Sequence, residues 1–150
     1  SFEFKCCIGK KGVSKKKNEG DKKTPKGIFG LEKLYYRNDR LDKPLTKLKC
    51  IKIHRNMGWC NDARDKLNYN KLINTKEKLK YEKLYRKDFK YDLIIPIKYN
   101  WKGKTLGKGS CIFLHLTKNY KPTAGCIALK KKDFLILLKI INTKTKIKIC

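Results

Sequence analysis

The sequence has no apolar run longer than Phe134 to Leu138, far short of the ~20 residues that cross a bilayer as a helix. It has no Cys-x-x-Cys pair despite seven cysteines, and only two histidines, His54 and His115. Neither histidine completes a zinc set at ligand spacing, which excludes a finger or ribbon. Acidic residues are few, 13 against 40 basic ones, for a net charge of +27. That excess points to anionic surroundings such as nucleic acid, a membrane surface or a cell-wall polymer. Arginine is also scarce: Arg37, Arg40, Arg55, Arg64 and Arg86 are all there are. A nucleic-acid reader concentrates arginine on one face, because its fork matches phosphates and bases. Lysine spread along the whole chain reads first as a solvated surface and only second as an electrostatic device. Repeats and Pro- or Ser-rich linkers are absent, so the reading is one domain over residues 1–150. A hydrophobic content of 40% with 11% aromatics excludes disorder. The chain starts at Ser1 without an initiator methionine or a signal-like segment. A removed targeting peptide or a fragment would each account for that.

What is there reads as β-rich with one convincing helix. Phe2 to Ile8, Leu48 to His54, Tyr91 to Tyr99, Ser110 to Leu116 and Thr145 to Ile149 carry strand patterns. Pro96 within Tyr91 to Tyr99 predicts an edge strand or a bulge. Gly9 to Gly30 reads as a Gly- and Lys-rich loop, with Pro25 and Gly27 as turn signals. Residues 56–74 read as polar and irregular. Residues 76–90, with Leu79, Leu84 and Phe89, read as a short helix or a loop. Asp133 is the expected N-cap of a helix carrying Phe134, Leu137, Leu138 and Ile141.

The segment His115 to Cys126 is the one that could do chemistry. A histidine late in a buried strand precedes a loop and then Thr123-Ala124-Gly125-Cys126-Ile127. Eleven residues let the loop fold back and join imidazole and thiol. A free thiol is mostly protonated at neutral pH, and a neighbouring imidazole can remove that proton to make a thiolate nucleophile. Gly125 permits a sharp turn that brings backbone N–H groups near a developing oxyanion, and Ala124 keeps the approach open. By spacing alone, core filling is the better account of this pair. Cys111 reads as a small buried hydrophobe in the strand of His115. Trp59 could line a groove or plug the core, His54 reads as a surface histidine, and Cys60 could pair with Cys6 or Cys7 in an oxidising compartment.

The stretch from His115 to Ile127 resembles the signature of the YkuD-type L,D-transpeptidases, a histidine after a strand followed by Ser/Thr-x-Gly-Cys-Ile/Val. Three further blocks resemble the same family, in a short single-domain subgroup: Glu19 to Phe29 (Gly20-Asp21-x-x-Thr24-Pro25-x-Gly27-x-Phe29), Gly58 to Asp62, and Gly109 to His115. The resemblance extends from about Phe4 to Ile147. It implies a mainly β fold, the YkuD-like β-sandwich with one C-terminal α-helix packed against it. It implies that Cys126 attacks a peptidoglycan stem tetrapeptide ahead of its terminal D-alanine and forms a thioester, which an amine resolves into a non-standard cross-link. His115 would be the base, with the Leu116 carbonyl orienting its ring. Backbone N–H groups around Ala124, Gly125 and Cys126 would serve the oxyanion, and Thr123, Trp59 and Ser110 would contact substrate. No metal or organic cofactor is called for. The implied partners are peptidoglycan stem peptides and anionic envelope polymers, with no nucleic acid and no transmembrane segment, and the protein would be a monomer in the periplasm or cell wall. Resolution by water (a carboxypeptidase), release of wall-bound lipoprotein, and a basic polymer- or nucleic-acid-binding domain are the alternatives. The chain departs from the family pattern at Ala124, where many members have a second histidine, at Ala128, where they have arginine, and at Leu116, where they have glycine.

Overall fold

A computed structural model describes residues 2–15, 17–77 and 80–150. Among the described residues the strands are β1 (Cys6–Cys7), β2 (Val13–Ser14), β3 (Thr24–Pro25), β4 (Gly27–Gly30), β5 (Leu34–Tyr36), β6 (Cys50–Lys52), β7 (Met57–Cys60), β8 (Leu72–Asn74), β9 (Tyr81–Lys83), β10 (Leu93–Pro96), β11 (Phe113–Leu116), β12 (Ile127–Leu129) and β13 (Lys146–Ile149). A single α-helix, α1, spans Lys131–Ile140. The fold is mainly β with one C-terminal helix, as the sequence suggests.

The central sheet has the order β1-β12-β11-β10-β5-β6. Its inner strands are buried on both faces, and alternate residues divide the core in two. Leu34 and Tyr36, Leu93 and Ile95, and Leu114 and Leu116 point to one side, where they join Phe134 and Leu138 of α1 and Ile149 of β13. Tyr35, Ile94 and Phe113 point to the other, against Trp59, Leu84, Tyr91 and Cys126. Phe134 and Leu138 lie one helical turn apart and both are fully buried. Each contributes about 2 kcal/mol by burial, which fixes the helix on the sheet. The second face is covered by the small sheet β8-β7-β9, and the candidate site opens on that side.

Several boundaries differ from the sequence reading. The first strand shrinks to Cys6–Cys7, the second to Cys50–Lys52, and that of His115 to Phe113–Leu116. Cys111 lies before that strand, half-buried, with a left-handed backbone (φ 56°). Gly9 to Gly30 is a structured segment containing β2, β3 and β4, with β4 paired antiparallel to β13. Residues 56–74 contain β7 and β8, and 76–90 contain β9 after a 3-10 turn at Thr75–Glu77; Leu79 lies outside the described residues. Pro96 ends an inner strand, not an edge. Its carbonyl accepts from Glu32 N at 2.9 Å, so its nitrogen faces the irregular stretch before β5, where no ladder donor is required. The N-cap is Lys130, without a side-chain cap, and Asp133 sits inside the first turn. There its charge still favours the helix N-terminus. The helix begins earlier because β12 ends at Leu129 and the chain must turn at once to dock Phe134.

Candidate active site

β11 and β12 run parallel, with His115 opposite Ala128 and Leu114 opposite Ile127. Cys126 immediately precedes β12, on the same face of the sheet as Phe113 and His115. Both side chains line one cleft of about 460 Å³. His115 is buried, and its Nδ1 lies 2.9 Å from Leu116 O. A carbonyl can only accept, so Nδ1 carries the proton and Nε2 keeps its lone pair. Burial pushes the imidazole down to about 4, the Leu116 carbonyl opposing this, so the ring is neutral at physiological pH.

Cys126 is buried at 9% exposure. Burial pushes its thiol up to about 12, against a lowering bond from Phe113 N. Its Sγ donates to Cys111 O at 3.1 Å and accepts from Phe113 N at 3.4 Å. Among the described residues no hydrogen bond joins this thiol to His115. The resting pair is therefore neutral thiol and neutral imidazole.

The turn before Cys126 is tightly specified. Thr123 Oγ1 donates to Cys126 O at 2.6 Å and accepts from Gly125 N at 3.1 Å. Gly125 has φ 141°, and a Cβ there would stand 2.8 Å from Lys23 O, so only glycine fits. Thr24 Oγ1 donates to Gly125 O at 2.9 Å and accepts from Gly9 N at 2.8 Å. The Gly-Asp-x-x-Thr-Pro segment singled out in the sequence is thus the floor on which the turn before Cys126 rests.

The cleft wall facing His115 comes from residues that sequence reasoning missed. Tyr91 packs edge-on against the imidazole, with ring centroids 5.4 Å apart. Its hydroxyl donates to Glu82 at 2.8 Å, and Arg86 lies over its ring at 4.9 Å while bonding Glu82 at 3.3 Å. Glu82, Arg86 and Tyr91 all line the cleft, as do Lys90, Lys118 and Lys121. They sit in or beside a stretch with no periodicity, and charge alternation was the only signal available.

The remaining sequence candidates separate. Leu116 and Ala124 line the cleft, Ala124 exposed. Gly125 N–H donates to the Thr123 hydroxyl, which works inside the turn. Trp59 does not line the cleft. It is 3% exposed, with Nε1 donating to Asn70 at 2.9 Å. It reaches the site through a row of rings: Trp59 to Phe113 at 5.4 Å, Phe113 to Tyr91 at 5.7 Å, Tyr91 to His115. Ser110 is also away from the cleft, buried and donating to Glu19 at 2.7 Å. All seven cysteines are free, Cys6, Cys7 and Cys60 included, and His54 is exposed. Among the described residues no group of three or more His, Cys, Asp or Glu is placed to hold a metal, and no helix is long and apolar enough to cross a membrane.

Four of the five arginines, Arg37, Arg40, Arg55 and Arg86, meet around Tyr85. Their forks are largely spent internally. Arg37 grips Asp39 through Nε and Nη2, both at 2.8 Å, and donates to Arg86 O at 2.6 Å. Arg40 bonds Asp92 and the carbonyls of Arg86, Lys87 and Asp88. The cluster is a clamp that holds the 86–88 backbone, and with it the cleft wall.

Fold and site together place a histidine on one strand and a cysteine just before its parallel neighbour, in one cleft with a basic rim. The family model for the YkuD L,D-transpeptidase catalytic domain matches residues 1–149, and the chain belongs to that family, whose enzymes act on peptidoglycan. One domain accounts for nearly the whole chain. No curated protein and no solved structure matches it.

Proposed function

We propose that the protein is a peptidoglycan L,D-transpeptidase with Cys126 as nucleophile and His115 as general base and acid. The observation that carries this reading is the imidazole of His115, locked by Leu116 O with Nε2 free to face the cleft it shares with Cys126. The Cys126 proton passes to Nε2 as sulfur attacks the carbonyl between the third stem residue and D-alanine. The imidazolium returns that proton to the leaving amine, D-alanine departs, and a thioester remains. An amine of a neighbouring stem then attacks, giving a proton to His115; the sulfur leaves and is reprotonated. The N–H groups of Ala124 and Cys126 are the oxyanion donors on this reading, since that of Gly125 is engaged.

Ala128 stands where many relatives carry arginine, and Arg86 with Lys90, Lys118 and Lys121 supplies the positive charge around the cleft. These cations suit a stem carboxylate. On this reading the protein works outside the cytoplasmic membrane, in the periplasm or wall, as a monomer whose lysine surface tolerates anionic envelope polymer. Nucleic acid is a poor fit, because three of the four clustered arginines, Arg37, Arg86 and Arg40, are committed to Asp39, Asp88 and Asp92.

Mass spectrometry of tetrapeptide muropeptides incubated with the protein, with Cys126→Ala as control, tests the reading. A cross-linked dimer with loss of D-alanine, absent from the control, is the expected result. D-Alanine loss without a dimer reassigns the protein as a carboxypeptidase, and no change with folded protein rejects both.

A further inference from the structure

The chain carries 35 lysines, and among the described residues a single one is buried: Lys17, at 5% exposure. A lysine gives up both hydration and rotamer freedom when buried, so a burial with solvent close at hand needs a reason. The ammonium bonds Asp21 at 2.7 Å. Asp21 is fixed in turn by Asn18 N at 2.8 Å and Lys23 N at 3.0 Å. Lys17 lies against the residue that precedes Cys126. A Cβ placed on Gly125 would stand 3.6 Å from its Nζ, and one on Gly109 would meet its Cε at 2.9 Å. The ammonium therefore sits between the segment leading to Cys111 and the turn leading to Cys126. The titratable groups that face Cys126 from the surrounding elements are His115 on β11, Glu82 on β9, Tyr91 before β10, and Cys111. Glu82 opposes a thiolate at Cys126 and Lys17 favours one.

We propose that Lys17 is a positioning residue of the nucleophile turn: its buried ammonium, only partly neutralised by Asp21, stabilises the thiolate form of Cys126. The inference rests on Cys126 being the nucleophile. It makes the Lys17–Asp21 pair an adjustable source of charge for that thiol, with opposite consequences when either partner is neutralised.

The test is peptide-resolved alkylation of Cys126 by iodoacetamide across a pH series, in the wild type and in Lys17→Gln, Lys17→Arg and Asp21→Asn. Lys17→Gln slows alkylation at a given pH by about threefold and moves its profile to higher pH, in keeping with loss of a nearby, partly screened charge. Lys17→Arg restores the wild-type profile, and Asp21→Asn moves it to lower pH. A merely structural pair would shift Lys17→Gln and Asp21→Asn in the same direction, which overturns the proposal, as does an unchanged Lys17→Gln profile. Should Lys17→Gln fail to fold, Asp21→Asn against the wild type still decides by its sign. The muropeptide assay on wild-type protein is separate: opposite shifts without acyl transfer would keep Lys17 in this role and reject the transpeptidase, and transfer without the shifts would do the reverse.

Discussion

The Nδ1 of His115 is held 2.9 Å from the carbonyl oxygen of the next residue, Leu116. The contact needs no second side chain, because a strand end supplies the acceptor. It fixes the tautomer and the ring angle together and leaves Nε2 as the basic atom of the imidazole. A carboxylate in that place would favour a charged imidazole strongly; the neutral carbonyl favours it only weakly, so burial prevails and the ring stays neutral and able to accept a proton.

That neutrality has a cost at low pH. The folded-state value of about 4 lies below the ordinary 6.5, so the unfolded chain binds more protons between these values. The stability contribution is fully present above pH 6.5 and is lost as pH falls toward 4, amounting to about 3 kcal/mol. Urea unfolding of the wild type and of His115→Gln across this window checks it. The wild-type curve should fall more steeply than the variant's, and parallel curves would refute the assignment.

Gly125→Ala should abolish function while perturbing the fold only locally. Its Cβ would meet Lys23 O at 2.8 Å with φ at 141°, a strain of about 1–3 kcal/mol. The melting temperature and the rate of Cys126 alkylation report the two effects separately.

Tyr91→Leu should lower kcat by roughly tenfold with a smaller change in KM, because it removes the ring that braces His115. Tyr91→Phe keeps the ring and loses only the bond to Glu82, so it should retain most of the activity. Equal losses in the two variants would show that the hydroxyl, not the ring, matters.

Arg37→Lys should lower Tm by about 5 °C, although the charge is conserved. A lysine cannot reproduce the fork on Asp39 together with the bond to Arg86 O. Differential scanning calorimetry gives the answer.

The sequence made the family legible and left the surroundings of the candidate pair obscure. His115 and Cys126 stood out by their spacing and, with the Leu116 carbonyl, took on roles only through the resemblance to the family; the structure sets both side chains on one cleft and Leu116 O 2.9 Å from Nδ1. The six-stranded sheet was only partly legible. β5 is three buried residues, Leu34–Tyr36, too short for any period to show. Gly9 to Gly30 looks like a loop because its strands have two to four residues and are held by long-range partners such as β13. Trp59 was ambiguous because an aromatic beside a glycine fits groove or core equally well, and its partners Phe113 and Asn70 are distant in sequence. Glu82, Arg86 and Tyr91 converge because the 84–90 segment folds back, held by the arginine clamp. Lys17 was hidden among lysines, since burial has no signature in a run of identical charges.

The most direct test of the central claim is intact-protein and peptide mass spectrometry after rapid acid quench of the protein with a tetrapeptide muropeptide. The account predicts a transient adduct on Cys126 whose mass is that of the substrate less D-alanine, absent in Cys126→Ala and accumulating when the amine acceptor is withheld. Turnover without that adduct, or an adduct on any of the other six cysteines, would contradict it.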